Sequence, residues 1–192
     1  MLQQLLPGLR ITLFFTVLCG LAYPLAITGI CQIVFPRQAN GSLVAANGKT
    51  IGSELIAQGF AKPEYFHPRP SLAGSGYDAT ASAGSNYGAT NKKLIDRVQA
   101  AADQFRKENP DFHGPIPADL LTASASGLDP QVSPDAAMAQ APRVAKARGI
   151  PLENVAGVVS SFTEQPTLGL LGEPRVNVLK LNLALDSQFP KK

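Results

Sequence analysis

The chain contains 192 residues and carries a formal net charge of +3, with 17 Lys and Arg residues against 14 acidic residues. This length allows one compact domain with its own core and one additional element. Basic residues do not cluster with aromatic residues along the chain, so we expect no nucleic acid as a partner.

The first predicted element is an apolar segment, residues 11–35, which contains no charged side chain. A helix needs roughly 20 apolar residues to cross the hydrocarbon core of a bilayer. A cleaved signal peptide is the alternative, with Arg10 as its positive region and residues 20–22 as its cleavage site. Because the apolar run continues to Phe35, an uncleaved transmembrane helix fits better, preceded by a short tail, residues 1–10.

The charges beside this segment predict its orientation. The N-terminal amine and Arg10 precede the segment, and Arg37 follows it closely. Since positive charge favours the cytoplasmic side, we expect the N-terminus inside and residues 36–192 in the periplasm or its equivalent. Both cysteines lie within the apolar run, so the remainder of the chain contains no disulfide.

The apolar segment also carries features of a helix-packing face. Ala22, Ala26 and Gly29 fall on one side at helical spacing, and Pro24 lacks the N–H of one backbone hydrogen bond. Small residues let neighbouring membrane helices approach closely. They are also common in single anchors, so a specific helical partner stays an open alternative.

Short extended pieces are predicted after the span, joined by turns at Asn40-Gly41 and Asn47-Gly48. The stretch "NGKT", residues 47–50, suggests a phosphate-binding loop. The full pattern requires a glycine where Leu43 stands, so we interpret the stretch as a hairpin turn with Lys49 exposed.

Residues 65–91 are poor in aliphatic residues but contain recurring tyrosine, which favours an ordered functional loop over disorder.

His67 and His113 have no cluster of carboxylates or thiolates beside them, so we expect no metal site. The motifs G-x-S-x-G, S-x-x-K and H-E-x-x-H are absent. A triad of Ser85, His67 and Asp129 is left open, because triads are recognised by geometry. We nevertheless expect no autonomous enzyme.

Helices dominate the C-terminal half of the prediction. Residues 91–108 follow a helical period that ends at Asn109-Pro110. Residues 122–137 are predicted to be an ordered loop that runs into a helix capped by Ser133, and Asp129 is predicted to form a turn before Pro130.

That helix is predicted to restart at Pro142 and to end at Gly149. Pro151 opens another helix over residues 151–165, and residues 176–186 alternate like a buried strand. The predicted fold class is therefore a mixed α/β soluble domain anchored by one N-terminal transmembrane helix.

Seven stretches, in this order, resemble the C subunit of the Kdp potassium-transporting P-type ATPase, the KdpC family. With the single N-terminal span, the resemblance extends over nearly the whole chain, although Tyr87 and Gln131 stand where many members are expected to differ. The stretches are "ANGSL" (39–43), "GSELIAQ" (52–58), "YFHPRPS" (65–71), "SAGSNYGATN" (82–91), "TASASGLDP" (122–130), "RVAKARG" (143–149) and "VNVLKLNLALD" (176–186).

The resemblance implies a non-catalytic subunit of a bacterial or archaeal pump in the cell (inner) membrane, which takes up potassium at the expense of ATP. It implies three partners: the channel-like potassium-translocating subunit KdpA, the P-type ATPase subunit KdpB and the small membrane peptide KdpF. Potassium would be the transported ion of the complex. No cofactor is expected to bind tightly, and ATP would act through the complex.

The resemblance leaves two roles open. In the first, the outer domain docks over the potassium entrance through residues 65–91 and 122–133, with the surface candidates Arg69, Ser85, Asn86 and Asp129. In the second, the chain is a catalytic chaperone that binds nucleotide and raises the ATP affinity of the P-type subunit. A helix start can hold an anion and an arginine can pair with phosphate. The candidates for this second role are Ser126, Gly127, Gln140 and Arg143.

Overall fold

The computed structural model describes residues 2–46 and 48–190. The chain divides into two compact units, Met1–Ile51 and Gly52–Lys192. Asn47 of the predicted second turn and the two C-terminal lysines lie outside the described residues.

The first unit is dominated by a long apolar helix. It consists of α1 (Leu2–Val17), a π-helical turn (Leu18–Ala22) and α2 (Tyr23–Val34). The helical stretch Gln3–Val34 is long and apolar enough to cross a membrane, with a mean hydropathy of 1.9. Residues 2–10, predicted as a tail, continue this helix toward the N-terminus.

A change of helical pitch accommodates Pro24. The π-helical turn ends at Ala22, two residues before Pro24, and the Tyr23 N–H bonds the Leu18 carbonyl five residues earlier. Because proline has no N–H to donate, a local π turn is a common adjustment around it in membrane helices. The helix therefore continues past Pro24.

A helical turn and a β-hairpin follow the long helix in the chain. The turn, α3 (Pro36–Ala39), ends where Asn40 donates from Nδ2 to the Pro36 carbonyl at 2.6 Å. The expectation that residues 36–39 are extended is therefore wrong, because proline at the first position is compatible with a helix. Strands β1 (Leu43–Ala46) and β2 (Lys49–Ser53) pair with each other, and Lys49 is exposed.

The second unit combines helices with a small antiparallel sheet in the order β3-β5-β4. In the sheet, Val176 lies opposite both Val132 and Thr163. The core lies between the sheet and the last helices, where Val144, Val155 and Leu181 are fully buried. In chain order the elements are α4 (Lys92–Glu108), a 3₁₀ turn (Ala118–Leu120), β3 (Gln131–Val132), α5 (Pro134–Arg148), α6 (Leu152–Ser161), β4 (Thr163–Glu164), β5 (Arg175–Asn177) and α7 (Val178–Gln188).

The predicted strand over residues 176–186 is wrong. Strand β5 ends at Asn177, whose side chain accepts a hydrogen bond from the Lys180 N–H at 3.1 Å and so caps α7. Val178, Leu181 and Leu185 are buried at the spacing of one helix face. The apolar residues of this segment therefore fit a helix as well as the strand-like alternation from which a strand was predicted. The sequence offers both periods, and the capping asparagine selects the helix.

The other helices follow the predictions more closely. Helix α4 and the Ser133 cap of α5 are confirmed, with Ser133 Oγ accepting from the Ala136 N–H at 3.1 Å. The restart at Pro142 is wrong, because α5 runs continuously with Pro142 inside it. Helix α6 ends at Ser161, earlier than predicted, and β4 begins at Thr163. A mixed α/β fold with one long N-terminal apolar helix is confirmed.

Burial explains why the proline does not interrupt α5. Alanine and valine side chains on several sides of this helix are packed into the core, which compensates for the missing backbone bond. These buried residues are Ala136, Ala137, Ala139, Ala141, Val144 and Ala145.

Candidate docking surface

Two buried amide side chains hold the backbone of the segment that follows Glu64. Asn182 on α7 accepts from the Phe66 N–H at 2.8 Å and donates to the Phe66 carbonyl at 3.0 Å. Gln140 on α5 makes the same pair of bonds to His67, at 2.8 and 3.1 Å. We call Asn182 and Gln140 the amide clamp. It satisfies four backbone groups where no sheet partner is present, which fixes the start of the 65–91 loop.

Arg143 extends this network below the loop. Its guanidinium donates to the carbonyls of Pro63 and Tyr65, to Asn109 Oδ1 and to Gln140 Oε1, at 2.6–3.0 Å. Burial lowers the pKa of Arg143 from its ordinary value, while Glu108 acts in the opposite direction. Most of its donors are thus committed to the protein itself.

The Gln140 side chain is equally committed. Its oxygen accepts from His67 N and Arg143, and its nitrogen donates to the carbonyls of His67 and Ala136. A primary amide has two donors and two acceptor positions, so no hydrogen-bonding capacity is left over. The two nucleotide candidates on α5 therefore organise the loop from inside the domain.

His67 does not meet the other members of the hypothetical triad. His67 Nδ1 lies 3.5 Å from Glu108 Oε2, and its Nε2 lies 3.2 Å from the Lys62 carbonyl. The pKa of His67 is lowered from 6.5, mainly by burial and secondly by the nearby Arg143 cation. The Lys62 carbonyl and Glu108 act in the opposite direction. Asp129 bonds Arg69 instead, so these contacts do not assemble a nucleophile and base. Within residues 2–46 and 48–190, no group of three His, Cys, Asp or Glu side chains is arranged to hold a metal ion.

The 65–91 loop packs on the stretch that carries "TASASGLDP". Ser71 Oγ donates to the Gly127 carbonyl at 2.6 Å, and the Ser126 carbonyl accepts from Ala83 N at 3.0 Å and Ser82 Oγ at 2.9 Å. We call residues 69–84 and 124–130 the loop pair. These bonds order two segments that lie largely outside helices and strands, so the predicted ordered loop is confirmed.

Glycine is required where the two segments of the loop pair touch. Gly127 has a φ of +68°, and a Cβ there would lie 2.6 Å from the Ala83 carbonyl oxygen. A Cβ on Gly84 would lie 2.6 Å from the Ala125 carbonyl oxygen. The sequence "SASG" therefore serves close backbone packing. Ser126 is similarly engaged, since its Oγ accepts from the Leu128 N–H at 3.1 Å.

A salt bridge closes the other end of the loop pair. Arg69 Nη1 lies 3.0 Å from Asp129 Oδ2, and both side chains are about one-third exposed or less, at 25% and 31%. Asp129 Oδ1 also accepts from the Gln131 N–H at 3.0 Å, which confirms the predicted turn before Pro130. Ser85 is half-buried, and Asn86 is exposed with a φ of +51°.

A charged cleft of about 440 Å³ borders this salt bridge. Three carboxylates and two guanidinium groups line it, and Asp119 Oδ2 accepts from the Ser133 N–H at 2.6 Å. We call this cavity the charged cleft. Its lining comprises Arg69, Asp119, Asp129, Gln131, Val132, Ser133, Glu173, Pro174 and Arg175.

Residues 5–187 match the family model described as "KdpC: K+-transporting ATPase, c chain". The chain belongs to the KdpC family. Similar curated proteins carry the name "Potassium-transporting ATPase KdpC subunit". The Caulobacter vibrioides protein is 57% identical, and the match covers 99% of this chain and 96% of the relative. The Rhodospirillum rubrum protein is 55% identical over 99% and 98%, and the Myxococcus xanthus protein is 56% identical over 98% and 90%.

This KdpC-family chain also has features that its sequence motifs did not reveal. Asn109 and Asn182 were not among the predicted site residues, although both hold other segments from buried positions. Leu168 and Leu170 were also missed, and both are highly exposed between β4 and β5. The stretch "PTLGLLG" does carry a signal, because leucines between turn-forming glycines are unusual in a surface loop.

Proposed function

We propose that this chain is a non-catalytic accessory subunit of an ATP-driven potassium uptake complex. It assists the assembly and stabilises the potassium-translocating and ATP-hydrolysing subunits, and its outer domain docks near the potassium entrance. Membership of the KdpC family supports this role, because the relatives are named as subunits of a potassium-transporting ATPase. The loop pair is the observation that carries the docking surface.

The loop pair has the physical character of a preformed docking surface. Its two segments are held by backbone bonds and by glycine contacts, so little conformational freedom remains to be lost on binding. Ser85 and Asn86 follow the first segment of the loop pair, with Ser85 half-buried and Asn86 exposed. Polar groups that are fixed before contact give specificity for one partner.

The charged cleft supports placement at a cation pathway. It is lined by three carboxylates against two arginines, so its formal charge is negative. Clefts lined by one excess sign raise the local concentration of the opposite ion. The proposed partner at this surface is the channel-like subunit KdpA, with KdpB and KdpF in the same complex.

The proposed location follows from the anchor and its charges. The helical stretch Gln3–Val34 would span the membrane once, with the N-terminus in the cytoplasm and the second unit outside. Four residues near the π-helical turn and α2 would pack against another membrane helix. They are Ala22, Pro24, Ala26 and Gly29.

The catalytic chaperone is the alternative role, and the structure favours it less. Gln140 and Arg143 are buried and bonded to the loop, and the Gly127 backbone faces Ala83. Nucleotide binding through these groups would require the amide clamp to open. An outer location would also separate the domain from cytoplasmic ATP.

Site-specific photocrosslinking from a position beside the loop pair tests the docking role. A photoreactive amino acid at Asn86 should form a covalent adduct with the potassium-translocating subunit in intact membranes. The same amino acid at Asn154, which is exposed on α6 outside the loop pair, serves as the control. Crosslinks from Asn154 but none from Asn86 would overturn the proposed surface.

A further inference from the structure

The connection between β4 and β5 ends in an exposed apolar tip. The side chains of Leu168 and Leu170 are each 87% exposed, and that of Leu171 is 64% exposed. We call these three leucines the leucine tip. Of the large apolar side chains that the structure describes, none is more exposed than Leu168 and Leu170. Soluble surfaces rarely concentrate apolar side chains in this way unless they bind something.

The backbone of the connection holds the leucine tip in place. Thr167 and Leu171 form an antiparallel bridge, with N–H···O=C bonds of 2.9 and 3.0 Å in the two directions. The Gly169 N–H bonds the Pro166 carbonyl at 2.9 Å. Leu168 itself has a φ of +56°, a conformation in which asparagine or glycine is far more common than leucine. A leucine kept in this conformation indicates a role for its side chain.

Charges near the leucine tip argue against a lipid surface as its occupant. Residues 165–174, "QPTLGLLGEP", contain no Lys, Arg or aromatic residue, and their one charged residue is Glu173. Segments that bind membrane surfaces combine apolar side chains with basic and aromatic residues, because the surfaces carry anionic lipid. The connection that carries the leucine tip has neither basic nor aromatic residues, so a protein partner fits its chemistry better than a lipid surface.

The leucine tip is continuous with the charged cleft. Glu173, Pro174 and Arg175 line that cleft and follow the leucines directly in the chain. Arg175 Nε is 3.3 Å from Glu164 Oε2, which ties the two sides of the connection together. One partner surface can therefore cover both features, with an apolar centre beside a polar margin, as in stable protein interfaces.

We propose that the leucine tip inserts into an apolar pocket of the potassium-translocating subunit, the partner proposed above for the adjoining charged cleft. The margin of that pocket carries a cationic side chain opposite Glu173. This inference rests on the proposed function, because it takes the partner from the same complex. It adds a specific anchor to the docking surface of the loop pair.

Two variants of the full chain test the proposal within the assembled complex. Leu168→Asn combined with Leu170→Ser removes the apolar anchor while keeping residues that suit their backbone conformations. Leu55→Ser removes a different exposed leucine and is the matched control. We expect the tip variant to dissociate from its partner subunits roughly tenfold more readily or worse, and the control to remain within about twofold.

An environment-sensitive fluorophore identifies the occupant. It is attached at Leu168→Cys in a chain whose Cys19 and Cys31 are changed to serine, and it is measured in lipid nanodiscs with and without the partner subunits. We expect a blue shift only in the assembled complex, with no quenching by brominated lipids. A blue shift with lipid quenching in the chain alone would assign the leucine tip to the membrane and overturn the proposal.

Two further outcomes separate this inference from the proposed function. If the tip variant stays assembled like the Leu55→Ser control, and the fluorophore shows no shift, the anchor is refuted while docking through the loop pair can stand. If the unmodified chain does not co-purify with the potassium-translocating subunit, the proposed function itself fails.

Discussion

Replacing Asn182 by alanine should weaken the domain far more than an ordinary polar substitution. Asn182 is 1% exposed, and its amide supplies both bonds to the wholly buried Phe66, at 2.8 and 3.0 Å. The Asn182→Ala change leaves a buried N–H and a buried carbonyl without partners. Each unsatisfied group costs about 1–3 kcal/mol, so the two together should lower the free energy of unfolding by about 2–6 kcal/mol.

Urea unfolding of the full chain in detergent, followed by circular dichroism, measures this loss. Hydrogen exchange of the Phe66 and His67 amides locates it, because the clamp should open before the core unfolds. Asn154→Ala removes the same atoms from an exposed position on α6 and should change stability by less than about 0.5 kcal/mol.

Asn182→Leu separates hydrogen bonding from volume. Leucine fills the space but bonds neither group of Phe66, so this variant should also be destabilised. A stability of Asn182→Leu equal to that of the unmodified chain would show that the two hydrogen bonds to Phe66 do not stabilise the domain. Amide exchange at Phe66 that does not change in Asn182→Ala would show the same.

Three other changes probe the loop and its surroundings. Gly127→Ala places a Cβ against the Ala83 oxygen at a positive φ, so thermal melts should show a loss of about 1–3 kcal/mol in the free energy of unfolding. Gly157→Ala on α6 is the control, because open space surrounds Gly157, and it should be neutral or stabilising in the same melts. The pKa of His67 is lower in the folded state than 6.5, so its stabilising contribution is present above pH 6.5 and is lost as the pH falls through the folded pKa. His67→Gln should therefore flatten this part of the curve of unfolding free energy against pH. An unchanged curve would show that His67 does not cause this pH dependence. The salt bridge between Arg69 and Asp129 is partly exposed, so a double-mutant cycle should give an interaction energy of only about 0–1 kcal/mol. If the loop pair docks on the partner subunit, the double variant should nevertheless retain less of that subunit in pull-downs.

Local signals in the sequence predicted much of the helical structure. Ser133, Pro134 and Asp135 begin α5 and Gly149 ends it at a φ of +66°, because capping depends on residues adjacent in the chain. In the structure Asn91 likewise caps the start of α4, where its side chain accepts from the Lys93 N–H. The apolar run of the anchor was equally evident, because its length and lack of charge are properties of the sequence alone.

The candidate site depended on contacts between distant residues, which the sequence did not show. Gln140 and Arg143 looked like free polar groups beside a small-residue loop, but their partners lie at residues 63–67. Asn182 stood within an apparent strand, and its amide role requires α7 to be a helix. Gly127 was a candidate for nucleotide binding, but the Ala83 backbone packs against it. The pairing of two loops was the missing information in each case.

Thiol labelling at Ser75 determines on which side of the membrane the second unit lies, and docking at the potassium entrance requires the outer side. Ser75 is exposed in the 65–91 loop, and Ser75→Cys in a Cys19- and Cys31-free chain provides a single reactive group. We expect a membrane-impermeant reagent to label this cysteine in intact cells as readily as after lysis. Labelling only after lysis would place the domain in the cytoplasm, contradict docking at the entrance and restore the nucleotide-binding role.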